Sequence, residues 1–483
     1  MQFGLIPTSH AWQLHRRLAP CPRRYSVEYD VTAQRLLSRF TKRWEGEMVG
    51  RTSVLARWTG GLIGVILAAG TMPVYAEEGA VYPTGQFPLD VTNLQAAADR
   101  GGTVVLKATN RAGQPTSFNF GPPQLGSGEV TLAGSVALVG ERGHSARTTI
   151  YGGSIPVTSV PGARVRISGI DFEYSFWIAI AIDDAADAKI IDNRIEHVLG
   201  RFFPSLRHPP GFTVAEGLDL GGGETASVRN NTIDDIRADL GLGISQYGNR
   251  GRVDITGNRV TGTNTLALET SSSGGQNTVA DNYLAPGAPT STSRAAIGTG
   301  LEVNGGAGYR IEGNHVVCVN PIAICMFLFG STTVPGFTPL TSALVRDNHV
   351  EALGSLVDGI VLFGQVSGVM VKDNQITGNG ESALAAFCRD SASDLSSNRF
   401  LDNDIASFSG SLASVYFDTC SHDNVFTGFC GTVIDLGTHN QITCEEAERE
   451  SAQKPALAGA RPAAPTVGRD PVNADLRAES RLR

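Results

Sequence analysis

One short pattern recurs through the middle of the chain: an apolar residue, two variable positions, an asparagine, one variable position and a second apolar residue. Complete copies include those at Asn193, Asn231, Asn258, Asn282, Asn314, Asn348, Asn374 and Asn398. Asn424 and Asn440 keep only the second half of the pattern. Consecutive asparagines lie 16 to 38 residues apart, most often 24 to 27. A near-constant minimum step with occasional longer ones is typical of a solenoid whose coils carry insertions.

Between the asparagines, apolar residues fall at every second position. In the stretch 358–377, Ile360 and Leu362 form one alternating pair, and Val369 and Val371 form another. Strict alternation predicts strands with one buried face, and the glycines between them predict breaks. Helical repeats of similar length would need apolar spacings of three and four, which are not seen. Each coil is therefore expected to contain three short strands and one structural asparagine. We expect all these asparagines at one repeated turn, where they would tolerate turn angles and stack their amides in a ladder.

This spacing resembles the right-handed parallel β-helix of the pectin-lyase-like superfamily, over roughly residues 81–444. The resemblance implies an all-β solenoid with a short amphipathic helix covering its N-terminal end. Residues 91–100, which are followed by Gly101 and Gly102, suit that helix. The resemblance does not imply one activity, because the fold hosts lyases, hydrolases, epimerases, esterases, phage tailspikes and adhesins.

Three further segments flank the repeats. Residues 1–47 are basic and lack core periodicity, so we interpret them as upstream sequence translated in error. Residues 48–76 have a basic start, an apolar run and small residues before Glu77, the order of a secretory signal peptide. An internal membrane anchor is the alternative, although the apolar run is short for a membrane span. The β-helix would occupy residues 77–444, and the tail 445–483 is expected to be disordered.

Cysteine content and charge agree with export. Removal of residues 1–76 leaves six cysteines, which can pair in an oxidising compartment: Cys318, Cys325, Cys388, Cys420, Cys430 and Cys444. Among the many possible pairings we favour Cys318–Cys325 and a second pair within 388–444. Residues 1–47 contribute +4 and residues 48–76 contribute +2, so their removal takes the formal net charge from −8 to −14. Such a charge argues against nucleic acid as a partner. We expect a periplasmic or secreted protein with no stable membrane span after signal cleavage.

The outward positions of one strand per coil carry the candidate site. They comprise an acidic patch followed by an aromatic ladder: Asp219, Glu269 and Glu302, then Phe327, Phe363, Phe387 and Tyr416. Coils stack about 4.8 Å apart, so these side chains would lie on one face. In this interpretation Glu269 and Glu302 are on adjacent coils but two residues out of line. A second outward stripe follows the asparagines: Arg194, Thr232, Arg259, Tyr283, His315, His349, Gln375 and Arg399. It is either a solvated face or a site for anionic sugar groups.

Two long insertions enter the coils that carry the acids. Residues 198–216 contain Arg207 and His208, and residues 285–300 contain Arg294. Long loops in compact folds are often functional, so these two could wall a groove over the acidic patch. Loops rich in Ser, Thr, Pro and Gly could equally be spacers.

Two chemistries suit these residues. β-Elimination from a uronate needs its carboxylate neutralised and a base for the adjacent proton. Asp219, Glu269 and Glu302 could hold Ca²⁺ for that purpose, with Arg207 or His208 as base. Alternatively, two of the carboxyl groups could act as acid and base in glycoside hydrolysis. In either case Arg294 and the aromatic residues would bind substrate. The trio could also be scattered surface acids.

Motifs of the named enzymes of this fold do not carry over. Of the four polygalacturonase motifs only Asp-Asp occurs, at Asp183 and Asp184. The Trp-Ile-Asp-His of pectate lyases breaks after Ile178, and the Asp-Pro-His-Asp of alginate epimerases is absent. We therefore expect an exported protein that binds and cleaves an acidic polysaccharide, as a lyase rather than a hydrolase. The alternative is a non-catalytic carbohydrate-binding or surface-interaction solenoid.

Overall fold

The computed structural model describes residues 79–445 except 123–127, 142–145, 158–161, 208–209, 273, 275, 288–297 and 335–336. The expected leader and signal peptide (1–47 and 48–76) lie outside the described residues, as does the tail beyond Glu445. Among the described helices, none is long and apolar enough to cross a membrane.

The described chain winds through three sheets, and every pairing between successive coils is parallel. The first sheet contains Ala80–Val81, Gly102–Leu106, Val136–Gly140, Arg164–Ser168, Asp187–Ile191, Thr225–Arg229, Val253–Thr256, Asn277–Ala280, Tyr309–Glu312, Leu344–Arg346, Met370–Lys372, Arg399–Leu401, Val425–Phe429 and Gln441–Glu445. The second sheet contains Phe118–Asn119, Thr148–Tyr151, Ile170–Glu173, Arg194–Leu199, Thr232–Arg237, Arg259–Thr261, Tyr283–Ala285, His315–Cys318, His349–Leu353, Gln375–Gly380 and Phe408–Gly410. The third sheet contains Ile155–Val157, Ile178–Asp183, Pro210–Gly221, Leu240–Asn249, Leu266–Ser272, Gly298–Asn304, Ile322–Gly330, Leu356–Ser367, Ser382–Phe387, Val415–Phe417 and Val433–Asp435.

Five short strands lie off these paths: Arg201–Arg207, Gly306–Ala307, Leu340–Thr341, Asp394–Ser396 and Ser421–His422. The helix Leu89–Ala98 precedes the second first-sheet strand and buries Leu94, Ala97 and Ala98 against the apolar core. It therefore begins two residues before the predicted start and ends two residues before the predicted end. The predicted fold class, an all-β parallel coil with an N-terminal helix, is confirmed.

The asparagine ladder forms between the first and second sheets. Asn282 shows the unit: its Nδ2 donates to the backbone oxygen of Ile255 (2.9 Å) and to Oδ1 of Asn314 (2.9 Å). The same Oδ1 of Asn314 accepts from the backbone N–H of Asn282 at 3.1 Å. These bonds repeat from Asn193 to Asn374. Each buried asparagine thereby forms hydrogen bonds with backbone groups of two coils. These groups lie at a turn, where no neighbouring strand can pair with them.

The left-handed angle at this turn belongs to the residue before each ladder asparagine. Those residues have φ between 52° and 67°: Asp192, Asn230, Gly257, Asp281, Gly313, Asp347 and Asp373. Glycine, aspartate and asparagine are the residues that adopt this region most readily. The sequence therefore encodes the turn in two adjacent positions, one for the backbone angle and one for the ladder.

The prediction that all the repeated asparagines share one turn is wrong for three of them. After Asn374 the ladder continues to Asn403, whose Oδ1 accepts from Nδ2 of Asn374 at 2.8 Å. Asn398, Asn424 and Asn440 form a second ladder, which starts at the backbone N–H of Val369. Extra short strands such as Asp394–Ser396 create an additional turn in these last coils, and the second ladder occupies it.

The six cysteines pair as Cys318–Cys325, Cys388–Cys420 and Cys430–Cys444. The first pair was predicted, and the other two lie within the predicted range 388–444. All three link residues close in sequence, within one coil or between adjacent coils. Disulfides are typical of proteins in an oxidising compartment.

Candidate acidic site on the third sheet

The third-sheet strands break their alternation at a glycine. A Cβ at Gly243, Gly300 or Gly359 would lie 2.2 to 2.8 Å from a second-sheet side chain, so these positions face the core. The residue after each glycine also belongs to the apolar core. Two consecutive inward residues leave the positions before and after them on the outward face. Glu216 and Asp219, which flank Gly217 and Leu218, are therefore both outward.

Four outward residues follow one another in direct register across the coils. Asp219 pairs with Ser245, Ser245 with Glu269, and Glu269 with Glu302. The prediction that Glu269 and Glu302 are two residues out of line is wrong. The cause is Thr270, a fully buried inward residue that pairs with Val303. Thr270 is the last inward position of its strand. Because it is polar, a count of alternating apolar residues ends at Leu268 and aligns the two strands two residues out of register.

The carboxyl groups of Glu269 and Glu302 are held together by one amide. Nδ2 of Asn304 donates to Oε1 of Glu302 at 2.7 Å and to Oε1 of Glu269 at 2.9 Å. Oγ of Ser245 donates to the other oxygen of Glu269 at 3.4 Å. Asn304 lies two residues beyond Glu302, on the same outward face. The sequence therefore builds a bridged carboxyl pair from two adjacent coils.

All four acids of this cluster are buried, which disfavours their charged forms. Burial raises the pKa of Asp219 to about 7 and that of Glu269 to about 7. Burial and the nearby charge of Glu269 raise the pKa of Glu302 well above its usual range, and burial and Asp219 do the same for Glu216. Strongly raised pKa values in a group of acids are typical of a functional site. We call Glu216, Asp219, Glu269 and Glu302 the acidic cluster.

Part of the acidic cluster lacks hydrogen-bond partners. Both carboxyl oxygens of Glu216 and Oδ1 of Asp219 are buried without one. Buried polar atoms in folded proteins are nearly always paired, so such atoms are available to a ligand. Glu216 was not among the sequence-predicted residues, because the core-facing Gly217 and Leu218 separate it from the alternating pattern.

Tyr247 borders the cluster and was also missed. A Cβ at Gly221 would lie 2.4 Å from the hydroxyl of Tyr247, so the tyrosine ring extends over a position that only glycine can occupy. Burial and the charges of Asp219 and Asp183 raise the pKa of Tyr247. The phenol therefore stays neutral and can donate a hydrogen bond next to the acids.

The predicted aromatic ladder forms two columns rather than one. Phe327 and Tyr416 continue the register of Glu302, through Val361 and Ala385. Phe363 and Phe387 lie in the next column and continue the register of Asn304. The two columns lie two residues apart along each strand, so alternation puts both on the outward face. The single ladder was wrong because Met326, and not Ile324, pairs with Ile360.

The aromatic rings are packed against one another instead of forming an open platform. Phe327 and Phe363 have centroids 5.5 Å apart, and Phe387 and Tyr416 have centroids 5.0 Å apart. All four residues are 1% to 7% exposed. Val334 and Phe337 pack against this group. Sugar stacking on these rings remains a prediction, and it requires faces that this conformation does not expose.

The predicted basic residues belong to the two long insertions that precede Asp219 and Glu302. Strands Arg201–Arg207 and Pro210–Gly221 form an antiparallel hairpin that leads into Asp219, as the long insertion implies. The Arg207 side chain, His208 and Arg294 lie outside what the structure describes. Their catalytic and binding roles remain predictions.

Among the described residues, the acidic cluster does not bring three ligand atoms within 4.8 Å of one another. The one group of three described His, Cys, Asp or Glu residues whose ligand atoms all lie within 4.8 Å is His315, His349 and Glu351, on the second sheet. The expectation that Asp219, Glu269 and Glu302 bind Ca²⁺ remains a prediction.

The family described as "Right handed beta helix region" matches residues 133–284. The chain is a right-handed parallel β-helix protein. No curated protein matches the sequence.

Several solved structures are similar in fold at low identity. The Dettilon tailspike protein is 15% identical, with 74% of this chain and 68% of that chain covered at a TM-score of 0.42. The DFA-IIIase of Arthrobacter chlorophenolicus A6 is 13% identical, and the match covers 74% of this chain and 92% of that chain at a TM-score of 0.38. A periplasmic alginate epimerase is 12% identical, and the match covers 71% of this chain and 77% of that chain at a TM-score of 0.33. These values describe a shared architecture only.

Proposed function

We propose that this β-helix protein binds a polysaccharide across its third sheet and cleaves a glycosidic bond by acid–base catalysis at Glu269 and Glu302. The observation that carries the proposal is the bridged carboxyl pair on adjacent coils, with Asn304 donating to both groups. Unpaired oxygens on Glu216 and Asp219 lie next to this pair and offer acceptors for sugar hydroxyls.

The spacing of the pair suits retaining glycoside hydrolysis. Directly paired residues on neighbouring strands are about 4.8 Å apart. Retaining enzymes hold their two carboxyl groups about 5 to 5.5 Å apart, so that one attacks the anomeric carbon while the other protonates the leaving oxygen. Water then releases the glycosyl group from the nucleophile, with the second carboxyl acting as base. The net reaction adds one water across the bond.

The surroundings of the two carboxyl groups assign their roles. Burial raises the pKa of Glu269, but its hydrogen bonds from Asn304 and Ser245 favour the charged form. Burial and the charge of Glu269 both raise the pKa of Glu302. Ionisation is therefore favoured at Glu269 and protonation at Glu302. Two carboxyls whose environments separate their pKa values are the usual arrangement of a nucleophile and an acid. Glu269 is the nucleophile in this assignment and Glu302 the acid.

Elimination from an acidic polysaccharide is the second candidate. The hairpin that leads into the acidic cluster carries a cation, Arg201, whose guanidinium lies 4.9 Å from the ring centroid of Trp177. The backbone oxygen of Trp177 accepts from the N–H of Glu216 at 2.7 Å, so this hairpin and the strand of Glu216 are adjacent in the fold. A uronate carboxylate could pair with Arg201, and an ionised acid of the cluster could take the adjacent proton.

A panel of neutral and acidic polysaccharides distinguishes the candidates. Hydrolysis releases reducing ends without ultraviolet absorbance, whereas elimination releases reducing ends with an unsaturated, absorbing product. We expect Glu269→Gln and Glu302→Gln each to lower the rate at least about 100-fold. The matched control is Glu312→Gln, a first-sheet glutamate that pairs with Arg310 and Arg346. It should keep wild-type activity.

Two results would contradict the proposal. If both site variants cleave at the wild-type rate, the acid pair is not catalytic. If no polysaccharide is cleaved but one is bound, the protein is the non-catalytic binding solenoid.

A further inference from the structure

The second sheet carries a column of side chains unrelated to the acidic cluster. The positions after the ladder asparagines are in register from Arg194 to Gln375, as predicted. Arg399 is the exception, because it lies in the first-sheet strand Arg399–Leu401. Within this column His315 pairs directly with His349, and His349 with Gln375.

Glu351 brings the two histidines to one point. It lies two residues after His349 and therefore on the same outward face. Its Oε1 is 2.7 Å from Nε2 of His315 and 3.1 Å from Nε2 of His349. All three ligand atoms lie within 4.8 Å of one another. Ligands of a tetrahedral Zn²⁺ ion are separated by about 3.4 Å, given metal–ligand distances of about 2.1 Å. Small side-chain shifts would therefore admit an ion.

A neighbouring residue sets the tautomer that binding needs. Nδ1 of His349 lies 2.7 Å from Oε1 of Gln375, so Nδ1 carries the proton and donates it. In the neutral form of His349 with its proton on Nδ1, the lone pair is on Nε2, which lies 3.1 Å from Oε1 of Glu351. Metal-bound histidines commonly donate their other ring N–H to such a partner. The edge contact from Tyr283, with centroids 5.1 Å apart, restricts the ring of His315.

We propose that His315, His349 and Glu351 bind a divalent transition-metal ion, with Zn²⁺ the best match to two imidazoles and one carboxylate. The three residues are about one-third exposed, so an ion can reach them from solvent. Three protein ligands leave a fourth position for water or an external group. The ion links the coil that carries His315 to the coil that carries His349, on a different sheet from the acidic cluster.

The test is a zinc titration of the tag-free, disulfide-intact protein, followed by competition with a chromophoric chelator. We expect one bound ion per chain. His315→Gln, His349→Gln and Glu351→Gln should each weaken binding at least tenfold. Gln375→Leu should weaken it about tenfold, because it removes the partner of His349 Nδ1 without removing a ligand. Gln375→Glu should restore binding, since it keeps an acceptor for that proton.

The control is His422→Gln. His422 is also a surface histidine paired with acids, Asp394 and Asp423, but these groups do not form a three-ligand cluster. Its loss should leave zinc affinity unchanged. Co²⁺ substitution gives a second readout, because ligand-field absorption should appear in the wild type and disappear in His349→Gln. The proposal would be overturned if the wild type bound zinc no more tightly than His349→Gln, or if all the variants bound it equally.

Discussion

At the scale of single residues, Glu269 shows how burial acts on a carboxyl that also has a proposed chemical role. Its pKa is raised from 4.5 to about 7, mainly by burial. Between those values the unfolded chain releases this proton while the folded chain keeps it. The stability contribution of the group is therefore complete below about pH 4.5 and is lost as pH rises through about 7.

Glu269→Gln is expected to stabilise the protein at alkaline pH. At pH 8 the variant avoids a buried charge, and its free energy of unfolding should exceed that of the wild type by about 1 to 3 kcal/mol. At pH 4 the two proteins should be equal. Urea denaturation at both pH values measures the difference.

Glu312→Gln is the control for this effect, because the pKa of Glu312 is shifted in the opposite direction to that of Glu269. Hydrogen bonds from Arg310 and Arg346 lower the pKa of Glu312. Its stabilising effect is present above its unfolded pKa and is lost on acidification. Glu312→Gln should therefore gain no stability at pH 8. An equal gain for Glu269→Gln at pH 4 and pH 8 would show that the carboxyl charge is not the cause.

At the scale of structural elements, the asparagine turn joins one coil to the next. Oδ1 of Asn314 accepts from the backbone N–H and the Nδ2 of Asn282 at 3.1 and 2.9 Å. Its own Nδ2 donates to the backbone oxygen of Val279 and to Asn348, both at 2.9 Å. Removing this side chain leaves buried groups on two coils unpaired.

Asn314→Ala is expected to lower the free energy of unfolding by about 2 to 4 kcal/mol, because each buried unpaired group costs about 1 to 3 kcal/mol. Asn440→Ala, at the partly exposed end of the second ladder, should cost about 1 kcal/mol or less. The shift in the urea midpoint measures both. Equal losses for the two variants would mean that the interior of the ladder has no special role.

The turn was predictable because its signal is local. An apolar residue three before the asparagine and another two after it were enough to locate Asn193 to Asn374. The same pattern also occurs at Phe400, Asn403 and Ile405, and Asn403 does lie in the first ladder. Asn398 matches equally well but lies at another turn, because a local pattern does not state which sheets flank it.

At the scale of the whole molecule, the coil stack was predictable and the site was only partly so. The outward face bearing Asp219, Glu269 and Glu302 follows from alternation. Glu216 and the register of Glu302 do not, because Gly217 breaks the alternation and Thr270 puts a polar side chain in the core. Phe327 and Phe363 belong to one buried apolar group drawn from several coils, against which Val334 and Phe337 pack. Such packing has no local sequence signal.

Export is supported at this scale by three disulfides. They indicate an oxidising compartment, which a periplasmic or secreted protein would meet. Cleavage of a signal peptide near Glu77 and initiation at Met48 remain predictions, because residues 1–78 are outside the described part of the chain.

In the proposed reaction, the glycosidic bond of the substrate lies between Glu269 and Glu302. A crystal structure of Glu302→Gln with an oligosaccharide cut from the polysaccharide that the wild type cleaves would locate this bond. We expect a glycosidic oxygen within about 3.2 Å of residue 302 and an anomeric carbon facing the carboxylate of Glu269. An oligosaccharide bound with no sugar atom near either residue would rule out catalysis by this pair.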